Sequence, residues 1–140
     1  MINSKDSNFS FSGLKTAVLY LLRDLSKKYS MEKLRPLVAK EFQDAVVEVL
    51  VKKTISAAKK YKAKTILLGG GVAANMKLRE DLVQTLVREI PSAQCLLPDI
   101  SLTGDNALMI ALVAYFNKKR AVKDLNSFSV DANLRLSSFN

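Results

Sequence analysis

The chain has 140 residues, 49% of them hydrophobic, with one cysteine and no histidine. The lack of histidine excludes serine–histidine and cysteine–histidine nucleophiles, and most zinc sites, from this chain taken alone. The 22 basic and 13 acidic residues give a net charge of +9, and no apolar run reaches the roughly 18 residues of a membrane helix. Because the start also lacks an apolar signal core, we expect a cytoplasmic protein with no membrane contact.

The first predicted elements are a strand and a helix. Residues 8–13 alternate aromatic and small polar side chains, which is typical of a half-buried strand. Residues 14–29 carry leucine and valine at helical spacing, and Ser12 is placed to cap that helix. Ser12 is therefore a candidate structural residue.

A long helix is predicted next. Residues 31–35 form a helical turn or a helix start, and Pro36 suits the first turn of a helix that runs to about Tyr61. Its predicted apolar stripe consists of Val38, Phe42, Ala45, Val46, Val49 and Leu50.

The second half of the chain alternates strands and helices. A buried strand over 64–71 enters a glycine turn, and a helix over 73–90 follows, with Leu78, Leu82, Leu86 and Ile90 four residues apart. A strand over 93–98 precedes a helix over 103–120 that is apolar almost all round, and so is expected to be buried on most sides. Residues 127–140 read as extended or irregular. The order predicts an α/β fold, a small sheet with packed helices.

The glycine triplet Gly69–Gly71 lies between a strand and a helix. Backbone N–H groups at a helix start favour anions, and glycine lets a phosphate approach the backbone. No Gly-Lys-Ser/Thr follows, which excludes a Walker loop. Gly69, Gly71 and Ala74 satisfy the loose dinucleotide fingerprint, with Asp99 as its acidic residue. Close packing of helix on strand is the structural alternative.

Asn75 and Asp105 each precede a predicted helix. Both residue types are common helix caps, so capping is one interpretation of each. Both also follow strands, and ligand clefts of open α/β sheets lie at the carboxyl ends of strands. The second interpretation is that Asn75 and Asp105 line one cleft.

The basic residues form two clusters. The first comprises Lys52, Lys53, Lys59, Lys60, Lys62 and Lys64, and the second comprises Lys118, Lys119, Arg120 and Lys123. Solvated helix ends and a phosphate-contacting surface are the two interpretations. The single cysteine, Cys95, lies in an apolar run and is expected to be a reduced core residue.

Three blocks occur in order along the chain: "FSFSGLKTAV" at 9–18, "GGGVAANMKLR" at 69–79 and "LTGDNALMIA" at 102–111. Together they resemble the C-terminal half of the tRNA N6-adenosine threonylcarbamoyltransferase family, and "DANLRL" at 131–136 resembles that family's tail. The resemblance implies the C-terminal lobe of a two-lobed fold like that of actin, sugar kinases and heat-shock ATPases. It also implies transfer of threonylcarbamoyl from threonylcarbamoyl-adenylate to N6 of the adenosine beside the anticodon, in tRNAs that read codons beginning with A.

The resemblance carries roles to particular residues. Gly70, Gly71 and Asn75 match the block that holds the adenylate, and Asp105 matches a ligand of a divalent metal, iron or zinc. Ser12 and Lys15 match the first block. For these two residues a role in the cleft and a structural role in the first helix are both open. The implied partners are tRNA and the paralogous and ATPase helper proteins of the pathway.

One departure from the family bears on activity. The family's other metal ligands are two histidines of a His-x-x-x-His motif in the N-terminal lobe, and this chain contains no histidine. We therefore expect residues 1–140 to be a single domain, the C-terminal lobe without its N-terminal lobe. Because one carboxylate cannot hold zinc or iron tightly, the isolated chain should neither bind metal stoichiometrically nor transfer the group.

Two other function classes remain open on the sequence. One is a nucleotide-binding regulatory or chaperone-like lobe of the same fold, without RNA-modifying activity. The other is a dehydrogenase lobe that uses its glycine turn to bind NAD. The aspartate of the "TGDNA" block favours the transferase over the regulatory lobe.

Overall fold

Four α-helices and two short strands form the regular structure of the residues described by the computed structural model, which are Ser4, 6–122, Asp124, Asn126, Ser129 and Asn133. The helices are α1 (Ser12–Leu25), α2 (Met31–Lys60), α3 (Met76–Glu89) and α4 (Ala107–Phe116), and the strands are β1 (Thr65–Leu67) and β2 (Gln94–Leu96). Short 3-10 turns cover Gly71–Ala74, Ile100–Leu102 and Lys118–Arg120. The tail motif at 131–136 lies outside the described residues except for Asn133.

The chain divides into two units, Met1–Gly104 and Asp105–Asn140. The first unit contains α1, α2, α3 and both strands, and the second contains α4. The expectation of a single domain that forms one lobe of a larger enzyme stays a prediction.

The two strands pair in parallel, with α3 as the connection between them. Ile66 lies opposite Cys95 in the register, and the ladder is extended by a bond from the Leu68 N–H to the Leu96 carbonyl at 3.1 Å. A parallel pair joined by a helix is a βαβ unit. Both strands therefore point the same way, and the loops that follow them leave the sheet at the same edge.

The hydrophobic core lies between α2 and α3 and continues onto one face of the sheet. Its buried members are Val47, Val51, Ile55, Leu78, Leu82 and Leu86. The apolar ladder predicted for α3, three leucines and Ile90 at a spacing of four residues, is confirmed. The three leucines are buried, and Ile90 packs against the core. This packing fixes the helix that follows the glycine turn.

The sheet is half-buried. Ile66 and Cys95 pack against the core, whereas Leu67 and Leu96 are 76% and 48% exposed on the opposite face. The prediction of a buried first strand is thus wrong for one of its faces. Cys95 is a free thiol in contact with the core, as expected, and burial raises its pKa above the ordinary thiol value.

Ion pairs join α2 and α3 along their polar flanks. The Asp44 carboxylate of α2 accepts from Lys40 at 2.8 Å and lies 3.7 Å from Lys77 of α3. Lys59 near the end of α2 pairs with Glu89 at the end of α3 at 2.7 Å. Exposed pairs of this kind add about 0–1 kcal/mol each, so the hydrophobic core remains the main contact between the two helices.

The structure corrects the predicted beginning of the chain. Residues 8–11 form no strand, and α1 begins at Ser12 with Phe11 in the cap position. Ser12 therefore does not cap the helix. The alternation of aromatic and polar residues is not sufficient for a strand here, because the segment contacts Lys53 of α2 instead of a neighbouring strand.

The long helix confirms the alternative of a helix start at residues 31–35, and it differs from the prediction in the place of its proline and in its core face. It begins at Met31, with Ser30 in the cap position, so Pro36 lies in its second turn. The proline has no N–H for the carbonyl of Glu32, and its ring crowds that carbonyl, so it is an unfavourable residue inside the helix. Its core face is formed by Val47, Val51 and Ile55, and Leu50 of the predicted stripe packs against it.

Helix α4 contains no buried residue, and Ile110 and Phe116 are 72% and 79% exposed. The prediction that this helix is buried on most sides is therefore wrong for the chain as the structure describes it. Among the described residues, no helix combines the length and the apolarity needed to cross a bilayer.

Candidate functional site

The glycine turn after β1 exposes its backbone. Gly70 has φ of +80° and ψ of 175°, a conformation that residues with a side chain rarely adopt. A Cβ placed on Gly69, Gly70 or Gly71 would meet no described atom within 4 Å. Close packing of helix on strand does not explain the triplet in the described part of the chain. The turn instead leaves open space over its main chain, and the Gly71–Ala74 turn and α3 follow directly.

Asn75 caps α3 and also contacts α2. Its Oδ1 accepts from the Leu78 N–H at 3.0 Å, and its Nδ2 donates to the Gln43 Oε1 at 3.1 Å. The capping interpretation is thus confirmed. A primary amide carries two N–H groups, so one donor remains beyond the bond to Gln43. The role of Asn75 in holding an adenylate stays a prediction.

Arg79 joins the two loops that leave the sheet. Its Nε donates to the Ala73 carbonyl in the first loop, and its Nη2 donates to the Pro98 carbonyl in the second at 2.7 Å. The sequence patterns did not identify this residue. One signal was present: a cation in the first turn of a helix is unfavourable with the helix dipole and so calls for a specific partner.

The loop after β2 is ordered by short-range bonds. The Asp99 Oδ1 accepts from the Ser101 N–H at 2.8 Å and from the Ser101 hydroxyl at 2.7 Å. These bonds, with a smaller contribution from the nearby Arg79 charge, lower the pKa of Asp99. Asp99 therefore caps the Ile100–Leu102 turn, which weakens its interpretation as the ribose ligand of a dinucleotide site. Thr103 is buried, and its hydroxyl donates to the Ile100 carbonyl at 2.7 Å.

In the second unit, Asn106 caps α4 by accepting from the Met109 N–H at 3.1 Å. The neighbouring Asp105 is exposed, and no described residue forms an ion pair or hydrogen bond with its carboxylate. The capping interpretation of Asp105 is therefore wrong, because Asn106 performs that task. Its role as a metal ligand and the proposed shared cleft with Asn75 stay predictions.

The residues that the structure describes do not by themselves fit a resident metal ion. Within the described residues, no three histidine, cysteine, aspartate or glutamate side chains come together as a ligand group. Iron and zinc sites in proteins use three or four such ligands, whereas the predicted ligand Asp105 would be a single one.

The structure places Ser12 and Lys15 on α1. The Ser12 carbonyl accepts from the Thr16 hydroxyl at 3.2 Å, as helix residues do. Lys15 lines an apolar groove between α1 and α2, together with Val18 and Phe42. A cleft role for Ser12 and Lys15 stays a prediction.

The first basic cluster does not act as one surface. Lys53 is buried and donates to the segment before α1, and Lys59 pairs with Glu89. The exposed members without an ion pair are Lys52, Lys60, Lys62 and Lys64, and the paired Lys59 is exposed as well. In the second cluster Lys118, Lys119 and Arg120 are all exposed, while Lys123 lies outside the described residues.

The described part of the chain is thus a small α/β protein with a parallel βαβ unit and an open glycine turn at the carboxyl end of its first strand, an arrangement that many nucleotide-binding proteins share. Residues 1–112 match the family model described as tRNA N6-adenosine threonylcarbamoyltransferase. The chain belongs to the tRNA N6-adenosine threonylcarbamoyltransferase family. The resemblance seen in the three sequence blocks is thereby confirmed.

Curated relatives that carry this name agree with the match. The protein of Listeria welshimeri is 43% identical over 130 residues, which are 91% of this chain and 38% of the relative. That of Thermosipho africanus is 40% identical over 136 residues, 97% of this chain and 40% of the relative. That of Geobacillus kaustophilus is 46% identical over 123 residues, 86% of this chain and 35% of the relative. The chain thus spans about two fifths of the length of the relatives it matches.

Proposed function

We propose that this chain is the part of a tRNA N6-adenosine threonylcarbamoyltransferase that receives the adenylate of the threonylcarbamoyl donor. The open glycine turn carries the proposal, because Gly70 takes a left-handed conformation and no described atom occupies the space over Gly69–Gly71. The family match and the names of the relatives support the same function.

The roles of individual residues follow from the chemistry of an adenylate. The N–H groups at the start of the Gly71–Ala74 turn suit the phosphate, since the first N–H groups of a helix have no partner within it. The remaining N–H of Asn75 suits a ribose hydroxyl or a phosphate oxygen. In the complete reaction, the N6 amine of the adenosine attacks the carbamoyl carbon, the bond from that carbon to the phosphate oxygen breaks, AMP leaves, and the nitrogen loses a proton to solvent. Hydrogen-bond donors that hold the phosphate stabilise the negative charge it gains.

Other parts of the full activity come from outside this chain. We propose that the chain forms the C-terminal lobe of an actin-like fold and that Asp105 joins ligands from another lobe in holding iron or zinc. The tRNA substrate, the threonylcarbamoyl-adenylate donor, the helper proteins and a cytoplasmic location are part of the same proposal. The family match favours this function over a regulatory lobe or an NAD-dependent dehydrogenase lobe.

An NMR titration of the isotope-labelled chain with AMP tests the adenylate site. We expect chemical-shift changes at residues 69–75 that saturate with AMP. Gly71→Ala should weaken AMP binding about tenfold or more, because the new Cβ enters the open space over the turn and prevents the close approach of the phosphate.

Gly13→Ala is the matched control, since its Cβ also meets no described atom within 4 Å and the residue lies in α1. It should bind AMP as the unmodified chain does. Absence of AMP-induced shifts at residues 69–75, or equal AMP affinity in Gly71→Ala and Gly13→Ala, would refute the proposal.

A further inference from the structure

We infer that Arg79 is a positioning residue, which sets the spacing between the glycine turn and the loop after β2 and so holds the nucleotide site in its binding geometry. The inference rests on the proposed function for its second half. Its first half, the connection between the two loops, stands on the contacts of the Arg79 guanidinium alone.

The two bonds of Arg79 reach main-chain atoms that are distant in sequence. The Nε bond goes to Ala73, six residues before Arg79, and the Nη2 bond goes to Pro98, 19 residues after it. Ala73 is fully buried, with an exposed fraction of 0%. A buried carbonyl needs a hydrogen-bond partner, and the guanidinium provides one for Ala73.

The guanidinium is used for main-chain contacts and not for charge pairing. In the described part of the chain, Arg79 forms no ion pair, although Lys77 and Arg88 of the same helix do. A planar guanidinium presents its donors in a fixed arrangement, so two bonds from one group fix the separation of the two acceptors. A lysine ammonium has no such arrangement.

The position of Arg79 links the two loops to the core. The residue follows the buried Leu78 in α3, which packs against α2. The packing of α3 on the core therefore fixes the position of the guanidinium, and the two guanidinium bonds fix the positions of both loops. A shift of either loop relative to α3 would stretch one of the two bonds, so the open space over the glycine turn keeps its shape.

Hydrogen exchange of single amides tests the connection. Both loops contain bonded amides that report on their order, namely Ala73 and Asn75 in the first loop and Leu102 and Thr103 in the second. In Arg79→Met we expect exchange at these four amides to be about tenfold faster or more, the effect typical of removing a hydrogen bond to a charged group. Exchange at Leu82 and Leu86 should be unchanged.

Two further variants separate geometry from charge and from general stability. Arg79→Lys keeps the charge but not the planar arrangement, so we expect faster exchange in at least one of the two loops. Arg88→Met removes an exposed arginine from the last turn of the same helix and should leave all of these amides unchanged. Full protection of both loops in Arg79→Lys would overturn the role of the guanidinium geometry.

AMP titration of the same variants tests the link to the nucleotide site. We expect the dissociation constant for AMP to rise about tenfold in Arg79→Met and to stay constant in Arg88→Met. Unchanged loop protection in Arg79→Met overturns the connection, and equal loss of protection at Leu82 and Leu86 reduces Arg79 to a general stabilising role. Faster loop exchange with unchanged AMP affinity overturns the positioning role. If the unmodified chain does not bind AMP, the proposed function fails, and the exchange data still decide the connection.

Discussion

The ammonium of Lys53, which is 5% exposed, lies 3.0 Å from the Oδ1 of Asp6. It also donates to the Ser4 hydroxyl and to the Asn8 carbonyl, each at 2.7 Å, and sits 5.9 Å from the centre of the Phe9 ring. A buried charge is tolerated when several acceptors surround it. Lys53 therefore holds the segment before α1 against the C-terminal third of α2.

Replacing this lysine should release the segment without unfolding the core. In Lys53→Met, cleavage by a protease within residues 6–11 should become about tenfold faster, because the bonds from Nζ are removed. The free energy of unfolding should change by less than about 1.5 kcal/mol, since an apolar side chain of similar size fills the site. Lys52→Met, a change at the adjacent exposed residue, should affect neither quantity. Equal protease sensitivity in the two variants would contradict the role of Lys53.

Acid should release the same segment. The Ser4 hydroxyl bond and the Lys53 bond lower the pKa of Asp6 from 3.8 to about 2. A carboxylate with a lowered folded-state pKa stabilises the attached segment above its ordinary pKa, and that contribution is lost as the pH falls from about 4 to 2. An NMR pH titration of the Asn8 amide, which donates to the Asp6 Oδ1 at 3.2 Å, should follow this range. In Asp6→Asn the same titration step should be missing.

The leucine ladder of α3 should dominate the stability of the first unit. Leu82→Ala, at a residue that is 2% exposed, should cost about 2–5 kcal/mol of unfolding free energy because it leaves a cavity between α2 and α3. Leu67→Ala, the same change at a residue that is 76% exposed, should cost less than about 0.5 kcal/mol. Urea denaturation of the two variants measures both. Similar losses would show that the core lies elsewhere.

Substitutions of Asn75 should separate capping from ligand binding. Asn75→Ala loses the cap on the Leu78 N–H and should cost about 1 kcal/mol, whereas Asn75→Asp keeps a capping oxygen and should be close to neutral. Both variants lose the amide donor, and Asn75→Asp adds a negative charge beside the phosphate. AMP binding should thus weaken at least as much in Asn75→Asp as in Asn75→Ala. Wild-type affinity in Asn75→Asp would remove Asn75 from the adenylate site.

The second basic cluster should contribute to tRNA binding. A triple glutamine variant of Lys118, Lys119 and Arg120, which are all exposed, should lower the slope of log affinity against log salt by about 0.7–0.9 for each phosphate that it no longer neutralises. Lys59→Gln should change the slope less, since Lys59 is already paired with Glu89 at 2.7 Å. Fluorescence anisotropy with labelled tRNA at several salt concentrations measures the slopes. An unchanged slope in the triple variant would show that these three residues are solvated and do not contact tRNA phosphates.

Patterns within one element predicted much of the structure. The spacing of Leu78, Leu82 and Leu86 identified the core face of α3, and the short apolar runs located both strands. The glycine turn and the cap at Asn75 were predicted because helix starts have known chemical needs. These features depend on neighbours that lie a few residues away in the sequence.

Features that depend on distant contacts were not predicted. Lys53 and Arg79 bind main-chain or side-chain acceptors many residues away. Every residue has a main-chain carbonyl, so the sequence does not show which carbonyl accepts such a bond. The alternation at residues 8–11 predicted a strand because periodicity cannot show whether a partner strand exists. The exposure of α4 was missed for the same reason. An apolar sequence predicts that a helix can be buried, but it does not show which element would cover it.

The uncovered face of the sheet has a practical consequence for work with the purified chain. Parallel strands in proteins almost always have both faces covered, yet Leu67 and Leu96 are both exposed among the described residues. Molecules carrying such a face tend to adhere to one another as their concentration rises. Line widths in NMR spectra should therefore grow with protein concentration, and replacing these two leucines by polar residues should sharpen the spectra while leaving the glycine turn untouched.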